Sequence, residues 1–201
     1  MQIMKNPGID IKYGHFLDPF MLAFAASDPQ NEGRALLTKE EVLEKIENYK
    51  KEWSKNENII LEGMQEILEL RFSHNIIDVY VVTVSRGSFS DPVVIPSKFS
   101  PEQFVDILTH ELIHRLMSAN ANNILIGKIL MNTFPDESKL TRIHILLHAV
   151  HKHIYLNVLQ SESRLNANIE RHEKFPAYKK SWEIVEKYGY QELIEKIKQS
   201  Y

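Results

Sequence analysis

The chain has 201 residues, 43% hydrophobic and 25% charged, and a net charge of −3 with histidine neutral. That length is ample for a hydrophobic core in one domain, and the near-balanced charge leaves no electrostatic footprint for a nucleic-acid partner. Cysteine is absent, which removes disulfides, thiolate ligands and cysteine nucleophiles together.

No apolar run reaches the roughly 18 residues of a membrane span, and residues 1–7 lack the layout of a signal peptide. A cytoplasmic location without a membrane partner is the most economical expectation.

Residues 1–37 carry few signals. Residues 18–26 form an apolar run of helical length, and 27–33 are turn material. Thr38-Lys39-Glu40-Glu41 is a capping box that starts a helix to about Ser54, with Val42, Leu43, Ile46 and Tyr49 on its apolar face. A second amphipathic helix is predicted from Asn58 to about Phe72, where Ile60, Met64, Ile67, Leu68 and Arg71 recur at helical spacing.

Residues 76–84 are β-branched and aromatic, the strongest strand signal in the chain. Residues 85–92 read as a loop. Val93-Val94-Ile95 is a short second strand closed by Pro96. It reads either as a sheet edge to which an extended peptide adds or as one arm of a plain hairpin.

Ser100-Pro101-Glu102-Gln103 then opens a helix: serine as N-cap, proline at the first position, glutamine three residues after the cap. Phe104, Val105, Ile107, Leu108, Leu112, Ile113, Leu116 and Met117 make this helix apolar almost all round, so it should be buried. Within it stands Thr109-His110-Glu111-Leu112-Ile113-His114-Arg115, a His-Glu-x-x-His pattern. Histidines four apart share a helix face and reach one metal ion. The glutamate between them is placed to deprotonate a water activated by that ion. Arg115 reads as a surface or supporting charge.

Residues 124–134 form a short apolar helix, 135–138 a break, and about 140–169 one long helix. Two terminal helices follow at 176–187 and 190–199, with Gly189 as the stop between them. No repeat or linker interrupts the chain, which reads as a single domain over 1–201.

Six of the nine histidines lie between 110 and 153. On a single helix, His144, His148, His151, Tyr155 and Glu162 fall within about 40° of one line, a polar stripe on an otherwise apolar rod. Catalytic zinc takes three protein ligands and leaves a position for water. His110 and His114 supply two; His148 is the first choice for the third and Glu162 the second. His144, His151 and Tyr155 are candidates for supporting the ligands or a substrate oxyanion. His153 lies off the stripe, and His15, His74 and His172 receive no role.

The Thr109–Arg115 segment, following a strand pair, resembles the zincin metallopeptidases. The extended metzincin pattern is missing, because Met117 and Asn120 stand where it needs a glycine and a third histidine. The remaining similarity is to gluzincin-type enzymes, whose third ligand is a glutamate on a downstream helix. The resemblance implies zinc, a peptide or protein substrate and a glutamate-assisted water. It also implies an α+β, mostly helical fold, with a small sheet packed on the His-Glu helix and on a second long helix. A rival reading is a zincin-fold module that binds metal or a partner without hydrolysis.

Overall fold

The computed structural model describes residues 6–27, 35–120 and 123–199. In chain order the elements are β1 (Gly8–Tyr13), α1 (Asp18–Ala26), α2 (Lys39–Ser54), α3 (Glu57–Leu68), β2 (Ile76–Val82), β3 (Phe89–Ser90), β4 (Val93–Pro96) and α4 (Pro101–Ser118). Then come α5 (Asn123–Thr133), α6 (Lys139–His153), a π-helical turn (Ile154–Val158), α7 (Glu162–His172), α8 (Pro176–Tyr188) and α9 (Tyr190–Lys198). The protein is therefore α+β and mostly helical, with a small mixed sheet. It divides into two compact units. The first comprises the chain up to Glu57 together with His74–Arg115; the second comprises Asn58–Ser73 and the chain from Leu116 onward.

In the first unit the strand order is β1-β2-β4-β3. β2 runs parallel to β1 on one side and to β4 on the other, with Ile77 opposite Ile9 and Val79 opposite Val93. Alternation along β2 buries Ile77, Val79 and Val81, as a half-buried strand requires.

Asp18 joins three of these elements. Only 1% exposed, its carboxylate accepts from the backbone N–H of Thr83 at 2.5 Å, from the Thr83 hydroxyl at 2.8 Å and from the Tyr13 hydroxyl at 2.5 Å. Burial and this carboxylate push the Tyr13 phenol up to about 12. α2 begins at the predicted capping box: Glu41 N–H donates to Thr38 Oγ1 at 3.2 Å, and Thr38 N–H donates to Glu41 Oε2 at 2.7 Å.

In the second unit α6 packs against α5, α8 and α9, and α7 against α8. Gly63 of α3 lets the π-helical turn come close: a Cβ built there would stand 2.6 Å from Val158 Cγ2 and 3.1 Å from Ile154 Cδ1. Gly189 between α8 and α9 has φ of 81°, the left-handed region open to glycine.

The structure corrects several expectations. α3 ends at Leu68 rather than Phe72, because Glu69 takes a left-handed φ of 53° and turns the chain out of the helix. β2 ends at Val82, and the loop over 85–92 contains β3. β4 is not a free edge, since β2 and β3 flank Val93 and Val94.

The long helix expected over 140–169 is broken. Leu159 N–H reaches the Ile154 carbonyl at 2.8 Å, Ser161 N–H reaches the Tyr155 carbonyl at 2.8 Å, and Gln160 between them has φ of 50°. This left-handed closure ends the first rod before α7 begins. Of the predicted turn at 27–33, Ser27 is a turn, and residues 28–33 lie outside the described residues.

Two substitutions test these anchors. Asp18→Ala strands the Thr83 amide and the Tyr13 hydroxyl and should lower unfolding stability by about 3 kcal/mol in urea titration. Gly63→Ala drives a methyl into Val158 and should lower it by about 1–3 kcal/mol. A wild-type midpoint in either variant contradicts the corresponding contact.

Candidate metal centre

The helix that carries the motif starts where the sequence says it should. Gln103 N–H donates to Ser100 Oγ at 3.2 Å, and Ser100 N–H to Gln103 Oε1 at 3.2 Å, a reciprocal cap. Tyr49 of α2 fixes the approach. Its hydroxyl lies 2.9 Å from the Ser97 carbonyl and 2.8 Å from that of Phe99, and its ring stacks on Phe104 at 4.1 Å. Burial pushes this phenol up to about 12. At the other end of the motif, Arg115 Nη1 donates to Asp91 at 2.5 Å and to the Ser90 carbonyl at 3.3 Å. The arginine thus tethers the β3–β4 turn, the supporting role its position suggests.

Between these anchors, His110 is 6% and Glu111 7% exposed, while Leu108, Leu112 and Ile113 are fully buried. The rings of His110 and His114 lie 4.9 Å apart, edge to face, and each offers a nitrogen within 4.8 Å of the other's. Two nitrogens on one tetrahedral zinc, at ~2.1 Å each, are ~3.4 Å apart. The two nitrogens are close enough to bind one ion. Burial alone pushes the Glu111 carboxyl up to about 7. A dication beside it would favour the ionised form and bring it back down.

The second unit holds the other histidine group. His144, His148, His151 and Tyr155 all lie on α6 and the π-helical turn, and all are buried. His148 and His172 each offer a nitrogen within 4.8 Å of the other's. The His148 ring stacks on Trp182 at 4.2 Å and on His172 at 5.1 Å, and His144 stacks on Tyr178 at 4.0 Å. Burial lowers His144, and burial followed by the nearby charges of Arg171, His144 and Lys174 lowers His172 to about 4. Tyr155 receives the Asn168 side-chain amide at 3.1 Å and lies 5.5 Å from the His151 ring.

Glu162 does not share that stripe. It opens α7, beyond the break, and is exposed. His172, given no role from the sequence, is the residue the structure adds. It ends α7 and meets His148 only through the fold, so no linear spacing marks it. His153 is half-buried, and His15 and His74 are exposed.

The chain thus contains histidine groups with nitrogens close enough to bind a metal ion. Comparison of the chain with protein-family models, curated proteins and solved structures found no match.

Proposed function

We propose that this protein is a zinc-dependent hydrolase, a metallopeptidase of the zincin kind. The observation that carries the reading is the imidazole pair of His110 and His114, nitrogens within 4.8 Å, with the buried carboxyl of Glu111 on the same helical turn. In the proposal His110 and His114 hold the ion. With no cysteine in the chain, the ligand set is imidazole and carboxylate, the chemistry of catalytic rather than structural zinc.

A bound zinc ion would supply a Lewis-acid centre that polarises a peptide carbonyl and acidifies a water molecule. Glu111 accepts the water proton and returns it to the departing amine nitrogen. Arg115 stays outside this exchange, committed to the β3–β4 turn. The apolar side chains around the motif keep bulk water from competing with these transfers and strengthen each charge interaction.

The test combines metal analysis with digestion of a mixed peptide library. The purified chain should hold about one zinc, and chelation should abolish cleavage. Glu111→Gln should keep the zinc and lose about 10²–10⁴-fold in cleavage rate. Equal cleavage by parent and variant contradicts the assigned base. Zinc retained with no cleavage by the parent reduces the chain to a metal-binding module.

A further inference from the structure

The apolar run at residues 18–26, which the proposed chemistry leaves unused, forms α1 of the first unit and turns its aromatic side chains outward. Phe20 and Phe24 stand one turn apart on α1, and Phe16 lies in the turn that leads into it. Phe16, Phe20 and Phe24 are 77%, 76% and 54% exposed. Pro19, Ala23 and Ala26 are exposed beside them. A contiguous apolar patch of this kind marks a surface that meets another apolar one.

The inner side of α1 holds the helix in that attitude. Ala25 and Asp18 are buried there, and the Asp18 carboxylate is committed to Thr83 and Tyr13. Gly14 fixes the preceding turn: its N–H donates to the Val81 carbonyl at 2.8 Å, and its carbonyl accepts from Leu17 N–H and Asp18 N–H, each at 2.8 Å. Asp18 is the only acid between His15 and Ser27, so its internal use leaves the outer face without negative charge. Basic side chains stand at both ends of the aromatic row. The His15 ring is 4.0 Å from that of Phe16, and the Arg86 guanidinium is 4.7 Å from the Phe24 ring centre.

We propose that Phe16 and α1 form a docking face for the surface of a bilayer that contains anionic phospholipid. The three phenyl rings enter the boundary between headgroups and acyl chains, and Arg86 and His15 meet the lipid phosphates. The nine residues of α1 make a rod of about 14 Å, against ~30 Å of hydrocarbon, so the helix lies along the surface and does not cross it. The expectation of no membrane partner rested on spanning runs and leaders, and a surface-lying helix is neither.

Area decides against a second copy of the chain as the occupant. At roughly 150–250 Å² for a whole aromatic side chain, the three rings expose about 400 Å². A stable pairing takes about 800 Å² from each partner. A bilayer needs no matching surface of fixed shape. Charge complementarity points the same way: the chain carries a net charge of −3, yet the row of rings is flanked by bases and has no acid on it.

The test is flotation of the purified chain with vesicles of phosphatidylcholine alone and of phosphatidylcholine with about one quarter phosphatidylserine. The parent should float with the mixed vesicles and more weakly with the neutral ones. Phe20→Ser should weaken binding to mixed vesicles about tenfold or more. Arg86→Gln should weaken it about fivefold on mixed vesicles and leave neutral ones unchanged. Both positions are exposed, so circular dichroism should not change. Phe20→Trp reports insertion directly. Its emission should shift to the blue with mixed vesicles, while Trp53 and Trp182, 2% and 3% exposed, stay constant.

No flotation of the parent with mixed vesicles, or equal flotation of parent and Phe20→Ser, overturns the proposal. So does a parent dimer that Phe20→Ser dissociates in sedimentation equilibrium without any lipid binding, which assigns the face to a second copy. The metal-free chain should bind vesicles as well as the zinc-loaded one, so failure here leaves the hydrolase reading standing.

Discussion

A buried carboxyl, a buried imidazole and a half-buried one on one helical turn set the terms for the proposed chemistry. Groups of this kind are costly to hold away from water unless each meets a partner that favours its charge or lone pair. His110 and Glu111 are nonetheless almost fully buried, on a helix whose remaining side chains are apolar. In the proposed reading, a cation held by His110 and His114 would favour the ionised glutamate beside it. The proposed chemistry grows from the same balance, since the burial that raises Glu111 toward neutrality in the free chain is what makes a neighbouring dication effective.

The surrounding architecture keeps that turn in place. Tyr49 holds the loop that leads into α4, Phe104 stacks on Tyr49, and Arg115 ties the far end of the motif to the β3–β4 turn. Asp18 does comparable service at the sheet, joining β1, α1 and the residue that follows β2 on one buried carboxylate. In the second unit, glycine at position 63 admits the π-helical turn that follows α6. Such turns interrupt the regular helical phase, and this one carries Tyr155 at the end of the histidine row.

Much of this was legible in the residues. The capping pairs Thr38–Glu41 and Ser100–Gln103 announced their helices because a side chain three residues away reciprocates the cap. The β-branched and aromatic residues of 76–84 announced β2, which ends at Val82. The 110/114 spacing placed two imidazoles on one face. What stayed hidden depended on conformations that ordinary residues adopt only in context. Glu69 and Gln160 take left-handed φ values with neither glycine nor proline beside them to advertise the break. One long helix was therefore expected where α6, a π-helical turn and α7 stand, and Glu162 was drawn onto a stripe it does not share. His172 was invisible for another reason: its neighbours His148 and Trp182 lie 24 and 10 residues away in sequence, and only helix packing brings them together.

The most direct test of the central claim is zinc-edge X-ray absorption on the zinc-loaded chain. The account predicts a four-coordinate shell of nitrogen and oxygen at ~2.0–2.1 Å, with imidazole scattering. That scattering should be reduced when His110 or His114 is replaced. A shell without imidazole scattering, or one unchanged in both replacements, would contradict it.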